Sequence, residues 1–568
     1  MESLLNIKSR SLLTFVAVFG LLLAACGGDD TNSGSGANTK PAPADQQVLR
    51  LRLGADPGSI DPQTASGASQ ASIAKQIGAG LFTYDDDLKI VPQLAKGDAK
   101  VSPDGMTYTI EIAEDAKWSD GKTVTPQDFV YGMQRALDPS VASPYASFYY
   151  SIAGAAAYNT ALGTPKEPKS ATAEELATLR ANIGVSAKDN AIEYRLTEPT
   201  PSFLNLLTIW TSFPARQDII EKYGAEWTNP ANMVSSGPFV LESWERDQQL
   251  TFKPNPYWGG EKTMLSSLQI KIMPDDSAAY AAYLAGELDA VTVPAPAVRQ
   301  VTADANLSKE LVVGSDLTTV ALFMNNTAAP FDNKLVRQAF GTAIDRNAYV
   351  TGVLQGAGTP TTTWIPDGMP GHNDYGKQYT FDATKAKDLL KQAGYENGNG
   401  LPEVTFLMVN SPVNQTVGEF LKAQFKDNLG VDVTFEYLEG PQFGPRFVRG
   451  QYQASIQRWH ADWPYPDNWL PAQFTTGSPN NVSKYSNAEF DNLMKQAASS
   501  TDDANRLKAY ASAEKLMLDE AGLVPLYNAR TYTLVKPDVK NLIVTGVDGA
   551  IKGDLNLWKT FIALPSDE

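Results

Sequence analysis

Among its 568 residues the chain has one cysteine and two histidines. A lone cysteine excludes an internal disulfide and any thiolate-rich metal site, and two histidines are too few for a histidine-based zinc centre. Positive charge is scarce as well: 47 Lys and Arg face 64 Asp and Glu, a net charge of −17. Nucleic acid and anionic membrane surfaces attract basic patches, so neither is expected as a partner. After residue 26 no stretch approaches the ~18 apolar residues that would span a bilayer. Catalytic motifs are missing too. Gly121-Lys122-Thr123 looks like the tail of a phosphate-binding loop, but Ala116 stands where the first glycine belongs, and a hairpin turn accounts for it. Gly356-Ala357-Gly358 lacks the third glycine of a dinucleotide loop, since position 361 is Thr361. No Gly-x-Ser-x-Gly elbow and no His-Glu-x-x-His pair occurs. His372 falls in a turn, and the runs Asp275-Asp276 and Asp85-Asp86-Asp87 read as solvated turns. No enzyme, no metal and no cofactor is expected from this inventory.

What is present begins with a leader. Lys8 and Arg10 precede an apolar run over residues 12–23, and Leu23-Ala24-Ala25-Cys26 places small residues before the only cysteine. This is the pattern of a secretory signal peptide over residues 1–25. Its end resembles a bacterial lipobox, which implies cleavage before Cys26 and a lipid on its sulfur, so that a membrane anchor is expected there. A generic signal with an incidental cysteine is the alternative. Residues 26–45 are Gly, Ser, Asn, Thr and Pro with hardly anything apolar, the composition of a flexible tether.

The body that follows has 43% hydrophobic and 20% charged residues over a length that suggests two to four lobes. Alternation predicts strands over residues 48–53 and 108–112, and a helix-like segment over 69–82 leads to residues 88–90. Thr125-Pro126-Gln127-Asp128 opens a helix: Thr as N-cap, Pro at the first helical position, an acid in the first turn. Helices are expected over 171–182, 278–288, 384–393, 415–429 and 503–520. Strands are expected over 317–323, 404–409, 431–437 and 524–527. Strand and helix alternate in both halves, so the fold class is α/β.

One stretch concentrates chemistry. Residues 458–469 hold three tryptophans, a tyrosine, two carboxylates and His460. Pro464 and Pro466 forbid a helix through its middle, so the aromatics stand on extended backbone. A carboxylate among apolar ring faces holds a cation more tightly than it would in open water. Asp462 is therefore a candidate for gripping an ammonium group. The alternative is a tryptophan-rich core edge with Asp462 capping a turn.

Gln93-Leu94, Trp118-Ser119-Asp120-Gly121 and Thr125-Pro126-Gln127-Asp128-Phe129 resemble the signature of the peptide-binding subunits of bacterial ABC importers. The likeness continues through Ala142-Ser143-Pro144-Tyr145, Ser235-Ser236-Gly237-Pro238-Phe239, Asn325-Asn326, Val336-Arg337-Gln338-Ala339 and Ile344-Asp345-Arg346. It covers nearly everything after residue 48. The resemblance, to family 5 extracellular solute-binding proteins and among them the oligopeptide binders, implies a class II periplasmic-binding fold of three lobes with hinged closure. Lobe I is then expected over 46–78, 212–316 and 530–568, lobe II over 79–211 and lobe III over 317–529. It implies a monomeric receptor with a peptide ligand and, as partners, an ABC permease and its ATPase. In Trp459-His460-Ala461-Asp462 it assigns Asp462 to the peptide ammonium and Trp459 to a pocket wall. Backbone groups near Arg458 and His460 on one lobe, and near Gly67, Ala68 and Ser69 on another, are expected to pair with the ligand. Tyr145 and Asn414 complete the expected ligand-binding set. The chain departs from the family pattern at the carboxyl end of the ligand: Ser66 replaces a glutamate, Asn414 a histidine, and Phe447 and Ile456 two arginines, although Arg446, Arg449 and Arg458 lie nearby. An oligosaccharide, an opine or a metal complex is the alternative ligand, and a secreted peptidase the alternative class.

Overall fold

The computed structural model describes residues 40–163, 170–375, 380–478, 480–500 and 502–564. The leader and Cys26 lie outside them, while the far end of the expected tether is inside. There Pro41 bridges Ala563, Ala42 N–H donates to the Ile562 carbonyl at 2.8 Å, and Ala44–Gln46 forms a 3-10 turn.

Three sheets of four or more strands, with the apolar cores packed on them, build most of the described residues. The first contains β1 (Val48–Leu53), parallel to Ser267–Ile272, which continues antiparallel through Gln249–Pro254 to Phe239–Glu245. Alternation in β1 explains its seating: Leu49, Leu51 and Leu53 are buried, while Arg50 reaches Asp289 and Arg52 the Met273 carbonyl. Helix α1 (Ala68–Ile77) packs Ile73 and Ile77 onto this core. The expected helix over 69–82 thus stops early. At Gly78 the chain turns extended against Phe213, where a Cβ would come within 2.6 Å of the ring, and Phe82–Tyr84 pairs instead with Ile90–Pro92. Leu88 lies in the turn between them at φ +61°.

The second body is a small antiparallel sheet, Lys100–Val101, Thr107–Glu111, Ala191–Arg195 and Val185–Lys188 in spatial order. It is flanked by α2 (Pro126–Ala136), capped by Thr125 as the sequence predicts, with Phe129, Val130 and Met133 inward. Arg135 on α2 pairs with Asp61 at 2.5 Å and ties this body to the first.

The third sheet is mixed. Its long strands are β2 (Leu311–Met324), β3 (Val404–Val409), β4 (Ala454–His460) and β5 (Val524–Val535), with Ala290–Thr292 and Val433–Leu438 at its edges. Helices α3 (Pro412–Leu429) and α4 (Asp503–Asp519) pack on opposite faces, Phe425 with Phe406 on one and Tyr510 and Met517 on the other. Both β2 and β5 are longer than expected from sequence. Residues 311–315 pair with 534–530; Val312 and Val313 of β2 are exposed and leave no burial pattern to read there, while Thr531, Thr533 and Leu534 of β5 are buried. These two strands run side by side beyond the third core toward the first body, where β5 also pairs Ala290–Thr292.

Candidate functional site

Strand β4 ends at His460, and the loop that follows is held by one buried side chain. Asn468 Oδ1 accepts from Asp462 N–H at 3.0 Å and from Trp459 Nε1 at 3.3 Å, while its Nδ2 donates to Asp462 Oδ2 at 3.2 Å. Pro466 opens the 3-10 turn Pro466–Asn468 that presents Asn468 inward. The other Asp462 oxygen, Oδ1, accepts from Tyr145 Oη at 3.4 Å across the cleft. Rings enclose this pair. Tyr145 stands edge-on to Phe148 at 4.9 Å and to Trp210 at 5.5 Å, and Phe148 meets Trp463 at 5.7 Å. Trp463 comes from the third body yet is buried in the core of the second. Trp210 is fixed by donation from its Nε1 to the Ala65 carbonyl at 2.9 Å.

The electrostatics of this box are unusual. Burial pushes the Asp462 carboxyl above its ordinary value, and the Asn468 hydrogen bond, the His460 charge and the Tyr145 hydrogen bond offset this only in part. Burial, with the Asp462 charge behind it, raises the Tyr145 phenol, which therefore stays a protonated donor. Among the described residues no Lys or Arg forms an ion pair with Asp462. The carboxylate faces a small cavity of about 50 Å³ lined also by Lys75, Tyr84, Gln93, Trp210 and Phe213. Lys75 is already committed: its Nζ donates to Asp554 Oδ1 at 2.9 Å and to the Val547 carbonyl at 3.1 Å. The Asp462 carboxylate thus stands withdrawn from water among aromatic faces, with no Lys or Arg ion-pair partner among the described residues.

Beside it lies an unpaired strand edge. Ala461 N–H bonds the Leu317 carbonyl and the Gln453 carbonyl accepts from Asn325 N–H, so the odd-numbered residues of β4 face β2. The main-chain groups of Arg458 and His460 therefore point to the other side. There β3 pairs with β4 only at Phe406 and Ala454, and Ile456 N–H already contacts Met408 Sδ at 3.5 Å. From Arg458 to His460 the edge is open.

Of the residues expected from sequence, the structure brings Asp462, Trp459 and Tyr145 together. The side chains of Arg458 and His460 lie on the opposite face of β4 from Trp459; His460 Nδ1 is 2.9 Å from Thr318 Oγ1 and 3.4 Å from Asp316 Oδ1. Asn414 is turned inward on its own helix start, its Nδ2 donating to the Val409 carbonyl at 2.8 Å. Gly67 N–H is taken by Gln70 Oε1 at 3.1 Å and the Ala68 carbonyl by Ala550 N–H at 3.3 Å, while Ser69 is half-buried in the first turn of α1. Phe148, Trp210, Lys75 and Asn468 were missed as site residues. They converge from separate segments, and only Asn468, within the aromatic-rich stretch, could have been suspected.

Separately packed cores with a cleft beside them place the chain in the periplasmic-binding fold. The chain belongs to the bacterial extracellular solute-binding proteins, family 5: the model of the family's middle region matches residues 89–481. This is a family of binding proteins, as the sequence resemblance indicates. The chain is 30% identical to the periplasmic oligopeptide-binding protein OppA of Haemophilus influenzae, over 87% of this chain and 91% of that one. It is 31% identical to the probable deoxycholate-binding periplasmic protein YgiS of Escherichia coli, over 89% and 91%. Among solved structures it superposes on the unliganded open form of the murein tripeptide-binding protein MppA with a TM-score of 0.79, at 26% identity, covering 94% of this chain and all of that one. It matches Haemophilus influenzae OppA in complex with RPPGFSPFR with a TM-score of 0.70, at 29% identity, covering 93% and 100%. Among the described residues no helix is long and apolar enough to cross a membrane.

Proposed function

We propose that the protein is an extracytoplasmic receptor that captures peptides by their main chain and N-terminal ammonium and hands them to an ABC permease. The observation that carries this reading is Asp462, withdrawn from water, enclosed by Tyr145, Trp210 and Trp463, and without a cationic partner among the described residues. An N-terminal ammonium supplies the missing charge, and the open edge of β4 supplies main-chain partners, which is strand addition without dependence on side-chain sequence. Relatives named for oligopeptides and for a murein tripeptide support the same ligand class. Purified protein incubated with a mixed peptide pool and then desalted should retain intact peptide by native mass spectrometry. Catalytic turnover of the pool would overturn the receptor reading. Retention of a bile acid or a sugar in place of peptide would favour another solute, a possibility that the likeness to YgiS makes concrete.

The lipid anchor is part of this proposal. Cys26 is the only cysteine and ends a small-residue run after an apolar leader. Cys26→Ser should move the protein from the membrane to the soluble fraction. A variant that stays membrane-bound after carbonate washing would rule the anchor out.

A further inference from the structure

Resting on the peptide reading, we infer that the seam between the second and third bodies is a latch on the cleft: Trp463 seats in the second body as the walls meet, and Asp467 behind it makes that seating take up a proton.

The seam runs beyond the box around Asp462. Trp463 leaves the third body and is buried in the core of the second, against Phe148 at 5.7 Å. Leu88 and Tyr465 each pack on the cores of both bodies. Behind the contact, Trp463 Nε1 donates to Asp467 Oδ1 at 2.6 Å. An indole N–H taken into an apolar core needs such an acceptor, so the ring cannot enter the second body without bringing a carboxyl with it.

Asp467 is half-buried, and both bodies face it. From the third come Arg506 and Tyr510 on α4, and from the second the Ser202 hydroxyl and Tyr84. Arg506 is shared, since its Nη1 donates to Asp503 Oδ1 at 3.1 Å and to Tyr465 Oη at 3.2 Å. Burial pushes the Asp467 carboxyl up to about 6, and the Ser202 hydroxyl, the Trp463 Nε1–H, the Arg506 charge and the Asn468 N–H offset this only in part. With the bodies apart, the cover from Ser202 and Tyr84 is gone and the carboxyl returns toward its ordinary value of about 4. The protonated acid thus favours closure: that contribution is fully present below about pH 4 and is lost as pH rises through about 6. Asp462 works the other way, because it must be ionised to hold an ammonium. MppA, which this chain matches, has an unliganded open form, so the fold allows the walls to part.

Calorimetry with the tripeptide Ala-Phe-Ala, in paired buffers of different ionisation heat, counts the protons taken up on binding by the wild type, Asp467→Asn and Ser202→Ala. At pH 5.5 the wild type should take up about half a proton or more beyond Asp467→Asn, and at pH 7.5 the difference should vanish. Asp462 titrates in both proteins, so the difference belongs to Asp467. Asparagine keeps an acceptor for Trp463 without the charge. Asp467→Asn should therefore bind about tenfold or more tighter than the wild type at pH 7.5, an advantage that shrinks about threefold by pH 5.5. Ser202→Ala withdraws a hydroxyl that favours the ionised form, so its uptake should persist to higher pH than that of the wild type. Equal proton uptake by the wild type and Asp467→Asn at pH 5.5 overturns the latch. A Ser202→Ala profile that matches the wild type overturns it as well, and decides alone if Asp467→Asn does not fold. If Ala-Phe-Ala does not bind the wild type at either pH, the peptide reading itself has failed, and this inference with it.

Discussion

Single side chains decide whether this chain can hold charge where water is scarce. Besides Asp462 the clearest case is Glu514 on α4, fully buried, with Oε1 accepting from Trp364 N–H at 2.7 Å and Ile365 N–H at 2.8 Å and Oε2 contacted by Tyr375 Oη at 2.9 Å. Burial, which these hydrogen bonds only partly offset, pushes its carboxyl up to about 7. The fold therefore favours the protonated acid, whose O–H can donate to Tyr375 while the phenol donates to the Ala511 carbonyl. The sign follows: this group's contribution to stability is fully present below its unfolded value and is lost as pH rises through about 7. Roughly 3 kcal/mol is at stake by linkage. Glu514→Gln keeps Oε1 as acceptor and supplies a fixed donor toward Tyr375. Melting curves should show the variant gaining on the wild type between pH 5 and 8. A difference that is constant across that range would contradict a neutral Glu514.

At the scale of elements, the open edge of β4 is testable because its two sides do different work. Arg458 N–H points away from β2, so Arg458→Pro deletes a group the ladder does not use, and Gln457 before it is already extended. The variant should fold, and its peptide affinity should fall about tenfold or more below that of Arg458→Gln, one lost main-chain hydrogen bond to the ligand. Equal affinities for the two variants would mean that the ligand does not pair there. Elements of this kind were unevenly legible in the sequence. β1 alternates because one face is buried and the other carries Arg50 and Arg52, and α2 announces itself by its cap. The outer part of β2 was not readable, because Val312 and Val313 are exposed and pair there without a buried face. The site was half legible: Asp462 and Trp459 stand in one compositional cluster, whereas Phe148, Trp210 and Lys75 come from elsewhere and meet it only in the folded chain. Nor does sequence tell which way a strand faces, so Arg458 and His460 were grouped with Trp459 although β4 sends them to its other side.

The whole molecule joins an acidic chain, a cleft between separately packed bodies and one carboxylate in an aromatic box. The net charge of −17 acts at a distance only weakly, since at physiological salt it is screened within about 8 Å, so selection falls to the cleft itself. Tyr145, from one side, already touches Asp462 on the other, so the carboxylate stands where the two walls meet. The most direct test of a cleft that grips a peptide by its ammonium is calorimetry on four combinations: wild type and Asp462→Asn, each with one tripeptide bearing a free or an N-acetylated amine. Asparagine keeps the shape and removes the charge, so the free-amine peptide should lose about 2–4 kcal/mol, roughly thirty- to a thousand-fold in affinity. The acetylated peptide should bind the wild type poorly and lose little more in the variant, giving a coupling energy close to the full effect. Equal binding of free and acetylated peptide by the wild type would contradict the account.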